Sequence, residues 1–170
     1  MIMRPGQQLL LPANPLFIWG SLLMALAINM LLNMGLWGRA AWLPDFLALV
    51  LVFWTVHQPR RVGVGAALVF GILLDVHQGS MLGQHALSYT VLSFLAIAIH
   101  RRLLWFGVSS QALQVLPLFA TAYAIELVVR LLAGGKFPGL WILLAPAIES
   151  LLWPVVSILL IMPQRRAPNP

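Results

Sequence analysis

The stretch Gly71-Ile72-Leu73-Leu74-Asp75-Val76-His77-Gln78-Gly79-Ser80-Met81-Leu82-Gly83-Gln84-His85-Ala86-Leu87 decides how the chain is read. It joins one apolar run to the next through a break rich in glycine and polar groups. Gly79 and Gly83 permit a tight turn there, because a residue without Cβ reaches backbone conformations closed to the others. Neither flanking run alternates apolar and polar residues, as a barrel strand would. Both therefore read as helices.

The same punctuation recurs along the chain. Breaks at proline, glycine and charge give six apolar segments: Pro15 to Leu36, Leu43 to Val56, Val62 to Val76, Met81 to Ile99, Gly107 to Ala133 and Leu140 to Met162. The composition agrees, with 170 residues of which 61% are hydrophobic and only 8% charged, a mean hydropathy of +0.94 and no cysteine. A soluble domain is about 25% charged. The reading is an all-α integral membrane protein, with residues 1–170 forming one polytopic membrane domain of six transmembrane helices. Six spans of about 20 residues use most of the chain and leave only short loops. Most soluble enzymes, disulfide-stapled domains and cysteine-ligated metal proteins are excluded. The second and third segments are short for a span, and are expected to cross because the charge pattern requires it; a re-entrant hairpin is the other reading. Ala25-Leu26-Ala27 imitates a signal-peptide cleavage site, but the apolar run continues to Leu36, which suits a retained helix.

The formal charge of +6 does not indicate nucleic acid. Binding a phosphate backbone needs cations gathered on one surface, and here they are scattered singly or in pairs. If the N-terminus is cytoplasmic and the segments alternate, Arg4, Arg60, Arg61, Arg101, Arg102, Arg165 and Arg166 lie inside. Arg39 and Lys136 lie outside, with Arg130 within a span, as the positive-inside rule demands. Both termini are thus expected in the cytoplasm. Tryptophans favour the interface: Trp37, Trp42 and Trp141 fall at outer ends, Trp19, Trp54 and Trp105 towards inner ends, and Trp153 fits neither belt.

The four acids, Asp45, Asp75, Glu126 and Glu149, all fall in the outer half. Asp45 opens the second segment and Asp75 closes the third at the outer face. At 1.5 Å per residue, Glu126 and Glu149 lie about 10 and about 14 Å below it. Asn29, Asn33, Ser88, Tyr89 and Thr90 lie in that half or near mid-depth. Intramembrane carboxylates usually face the bundle interior and raise a functional question. Glu126 and Arg130 stand at i and i+4, the order that favours a helical ion pair, so the bland expectation is mutual neutralisation. Glu149 has no such partner, and Pro146 and Pro154 flank it.

His57, His77, His85 and His100 show no zinc spacing, and neither metal nor cofactor is expected. The serines lie in none of the motifs that activate a nucleophile. Gly63, Gly65 and Gly71 give the third segment a surface that a neighbouring helix can approach closely.

The stretch from Gly71 to Leu87 resembles the signature of the MreD family, bacterial rod shape-determining membrane proteins. Pro44-Asp45, Gln58-Pro59 and Val62-Gly63 look like that family too, and segment number and order match it. The resemblance implies a non-enzymatic component of the cell-elongation complex in the bacterial inner membrane. Its implied partner is MreC, and through MreC the MreB filament, the RodA polymerase and a class B penicillin-binding transpeptidase, besides membrane lipid. It further implies a fold similar to the six-helix substrate-binding subunits of vitamin transporters. The motif positions carried over are Pro44, Asp45, Gly71, Asp75, Gly79, Gly83 and His85.

Two other readings stand beside the scaffold. One is a subunit that binds or transports a small molecule or lipid intermediate, with Asp45, Asp75, Gly79, Gly83, His85, Glu126, Arg130 and Glu149 as its binding set. That reading requires the polar groups to face one cavity open outward. The other is an intramembrane enzyme, which requires a nucleophile or metal beside an acid or base.

Overall fold

The computed structural model describes residues 15–32, 44–79, 82–137 and 139–162. Asn33, Trp37, Trp42, the segment ends at Leu36, Leu43 and Met81, and the cations Arg4, Arg39, Arg165 and Arg166 lie outside these residues. Among these residues six α-helices follow one another: α1 (Pro15–Leu31), α2 (Phe46–His57), α3 (Val64–Gln78), α4 (Gln84–Leu104), α5 (Val108–Leu132) and α6 (Leu144–Ile161). A 3-10 turn, Leu140–Leu143, leads into α6. With its 3-10 turn α6 is long and apolar enough to cross a membrane, as are α4 and α5, whereas α1, α2 and α3 are apolar but shorter.

The chain orders these helices around α2. Nine of its twelve residues are buried, from Leu47 to Val56 with Val50 the exception. A helix apolar on every face belongs in the middle of a bundle, and α1, α4 and α6 pack around it. Its core neighbours include Ile18 and Leu22 of α1, Leu92 and Ala96 of α4, and Trp153 of α6. At 1.5 Å per residue α2 is about 18 Å long, well short of a bilayer core of about 30 Å. Protein covers it from Leu47 to Val56, which relieves it of the length that a lipid-facing helix needs.

Two tryptophans belong to this core. Trp54 and Trp153 are fully buried, and each indole N–H has a partner, Ser21 Oγ at 2.7 Å for Trp54 and Gln111 Oε1 at 3.1 Å for Trp153. Buried indoles need such partners. Trp54 is therefore a core residue and not an interfacial anchor. Trp19, Trp105 and Trp141 are exposed, as belt positions should be.

Candidate functional site

The polar turn between α3 and α4 is built around one carboxylate. The first amides of any helix lack intrahelical partners, and Gly83, which precedes α4, has no side chain to cap them. Asp75, three residues from the end of α3, supplies the cap from outside. Its Oδ2 accepts from the Gly83 N–H at 2.9 Å and the Ala86 N–H at 3.3 Å. Its Oδ1 accepts from the His85 N–H at 2.9 Å and lies 2.8 Å from His85 Nδ1. The acid is 1% exposed. Negative charge at a helix N-terminus is electrostatically favourable, and bonds to an ionised acceptor are the stronger kind.

Gly71 makes this approach possible. A Cβ there would stand 2.7 Å from Ala86 N and 2.8 Å from His85 O, both backbone atoms that cannot give way. The turn itself needs Gly79 and Gly83 in the left-handed region, with φ of 62° and 105°. A glycine-free version of this hairpin would clash at the crossing and be strained at the turn.

A second polar layer lies deeper. Asp45 caps α2, accepting from the Ala48 N–H at 3.1 Å through Oδ1. The same carboxylate accepts from Asn29 Nδ2 of α1 and from the Tyr89 hydroxyl of α4. The Asp45 N–H donates to Glu149 Oε1 of α6 at 2.7 Å, and the Tyr123 hydroxyl of α5 donates to the same oxygen at 2.6 Å. Asn29 Oδ1 closes the ring by accepting from the Phe46 N–H at 3.0 Å. Glu149 is fully buried, and its Oε2 has no hydrogen-bond partner among the described residues.

Glu126 of α5 joins the two layers. Its Oε1 accepts from Ser88 Oγ at 3.0 Å, and its Oε2 lies 3.9 Å from His85 Nε2. Five of the six helices and the N-cap of α2 thus contribute at least one polar side chain, and all four acids of the sequence meet at one end of the bundle.

Asp45 opens α2 as expected, and its N–H bonds to Glu149, five residues into α6, so the two acids share one polar layer. One sequence expectation changes. Glu126 does not pair with Arg130. It faces Ser88 and His85 of α4, while Arg130 is exposed and stands beside the Gly135 turn. We therefore expect Arg130→Gln to change stability by no more than about 0.5 kcal/mol, as surface substitutions do, in a thermal melt of the detergent-solubilised protein. A drop several times larger would restore the ion pair.

Of the remaining histidines, His77 is exposed although two residues from Asp75. His57 Nδ1 and His100 Nδ1 lie against their own helices' carbonyls, at 2.8 Å from Phe53 O and 2.5 Å from Ile97 O. Among the described residues no three His, Asp or Glu side chains come together as metal ligands. The His85–Asp75 pair has the form of a base and its orienting acid. No described serine or threonine hydroxyl bonds to that ring, however, and Ser88 points instead at Ala122 O and Glu126 Oε1, both 3.0 Å away. Sequence reasoning missed Tyr123 and Gln111. Tyr123 was legible as the i−3 neighbour of Glu126, on the same helix face.

A family model described as rod shape-determining protein MreD matches residues 13–163. The rod shape-determining protein MreD of Haemophilus influenzae is 31% identical over 148 residues, which cover 84% of this chain and 89% of that protein. No solved structure matches the chain. The expected likeness to vitamin-transporter subunits accordingly has no solved structure behind it.

Proposed function

This chain belongs to the MreD family of rod shape-determining membrane proteins, and from that premise we propose that it is a non-enzymatic scaffold of the cell-elongation complex. It sits in the bacterial inner membrane with both termini in the cytoplasm and the acidic end outward. It binds MreC, and through MreC it links MreB to RodA, a class B penicillin-binding transpeptidase and peptidoglycan synthesis.

One observation carries the scaffold reading: the acids bond to groups of the chain itself. Asp45, Asp75 and Glu149 spend their bonds on backbone amides, tyrosines, Asn29 and His85. A binding pocket would instead present convergent polar groups to its ligand. The small-molecule reading is therefore not favoured. In the scaffold, Asp45, Asp75, Gly79, Gly83, His85, Glu126 and Glu149 shape the surface that MreC meets, and Arg130 fringes it.

Leu82, 71% exposed, stands directly before Gly83, whose amide Asp75 holds. An aliphatic anchor on a supported element can centre a binding interface. We expect Leu82→Asp to reduce MreC recovered by detergent co-purification by about tenfold or more, since losing a hot spot costs about 2 kcal/mol, with the melting temperature unchanged. Depletion of the protein should also convert rods to spheres. Intact rods after depletion, together with no MreC on the wild-type protein, would overturn the scaffold itself.

A further inference from the structure

The charge distribution has a consequence at the other end of the bundle. The sequence contains four acidic residues, and the structure commits all of them to the acidic end. No Asp or Glu remains to neutralise the basic end. The ion pairs His85–Asp75 and His85–Glu126 both lie at the acidic end.

The basic end gathers arginines from two parts of the chain at one depth. Helices α2 and α4 pack side by side, bonded at the acidic end by Asp45 and Tyr89, and with α3 returning between them through short turns they run the same way. Twelve residues further along each, from 45 to 57 and from 89 to 101, His57 comes level with Arg101, about 18 Å from the acidic layer. Arg60 and Arg61 follow at once in the turn that closes on buried Val62, with Val62 N–H donating to Gln58 O at 3.0 Å. Arg60, Arg101 and Arg102 are exposed. Trp105, 89% exposed, and the half-exposed Phe106 follow directly.

The corner that carries these groups is firmly built. Gln111, buried, donates through Nε2 to Phe106 O at 3.0 Å and accepts the Trp153 indole through Oε1. Arginines at the C-terminal end of a helix are also favoured there by its dipole. The four acids lie at the other end of the bundle.

We infer that Arg60, Arg101 and Arg102, with Trp105 beside them, form a binding face for the phosphate groups of anionic lipids. Guanidinium groups bind phosphate oxygens through paired N–H donors. An exposed indole next to them belongs at headgroup level, with its ring towards the acyl chains. An acidic protein segment would satisfy the arginines but gives no reason for an aromatic pair in the next turn. The proposal does not depend on MreC binding, because it concerns the opposite end of the bundle.

The test uses the full chain in nanodiscs of phosphatidylcholine, alone or mixed with phosphatidylglycerol, with native mass spectrometry of the retained lipids after gentle extraction. The wild-type protein should retain phosphatidylglycerol preferentially, and moderate salt should weaken the preference. A surface arginine contributes about fivefold to such attraction, so the triple variant Arg60→Gln, Arg101→Gln, Arg102→Gln should lose about a hundredfold. Lys136→Gln, at the acidic end, should lose nothing. If the triple variant does not fold, the single Arg102→Gln variant should still lose about fivefold. Equal retention by wild type and variant, or equal losses from Lys136→Gln, would overturn the proposal. Displacement of phosphatidylglycerol by polyglutamate at low molar excess would assign the face to an acidic polypeptide and overturn it as well.

Discussion

Gly71→Leu is expected to abolish accumulation of the folded protein. The position has no room even for a methyl group: Ala86 N and His85 O stand within 3 Å of where Cβ would lie. Both are backbone atoms in the first turn of α4, so relief requires α3 and α4 to separate. Separation draws Asp75 away from the three amides it caps and from His85. Overpacking a core costs about 1–3 kcal/mol even where side chains can adjust, and here the obstruction is main chain and the cap is lost with it. Set against a total stability of about 5–15 kcal/mol, that is enough to empty the folded state of a marginal protein. Gly71→Ala should fall between the two, expressing with a clearly lower melting temperature. Wild-type yield and melting of the leucine variant would show that α3 and α4 do not touch at this point.

Asp75→Asn changes no shape and should still be severe. The asparagine oxygen can serve His85, but its NH2 group must then face the Gly83 and Ala86 N–H groups. Donors meet donors, the charge that favours the start of α4 disappears, and buried amides are left without acceptors. Each orphaned buried group costs about 1–3 kcal/mol, so a loss of about 3 kcal/mol is expected. For a chain of this length that corresponds to a fall of about 6–12 °C in melting temperature. Hydrogen exchange gives a local check: the amides of Gly83, His85 and Ala86 should lose protection in the variant while those of α2 keep theirs. Unchanged protection at the α4 start would mean that Asp75 is not its cap.

Much of this was legible in the sequence, for physical reasons that differ from residue to residue. The apolar runs and the absence of alternation dictate helices in a membrane, because a backbone in lipid must satisfy its own hydrogen bonds. The Asp75–His85 hairpin was visible because its parts are close in sequence and glycine marks where backbone must turn or touch. The bond between Asp45 and Glu149 was not visible, because it depends on which helix encloses which. The amide that precedes α2 finds its acceptor more than a hundred residues later, in α6. The partner of Glu126 was misread for a related reason. Helical spacing puts Arg130 within reach, but the side chain turns to Ser88 and His85 on a helix whose position no local pattern encodes. Trp54 and Trp153 were harder still, since an indole serves equally well in a belt or in a core until its neighbour is known.

The enclosure of α2 also bears on how the protein is made. Synthesis proceeds from the N-terminus, so α2 emerges when only α1 is available to shelter it, and on its own it is too short to bridge the bilayer core. Its remaining cover comes from α4 and finally from α6, which also carries the acceptor for the Asp45 amide. The centre of the molecule is thus completed by its last helix. A nascent chain that stops short of α6 leaves its most apolar element and a main-chain donor uncovered, the kind of surface by which a cell's quality control tells an unfinished membrane protein from a finished one.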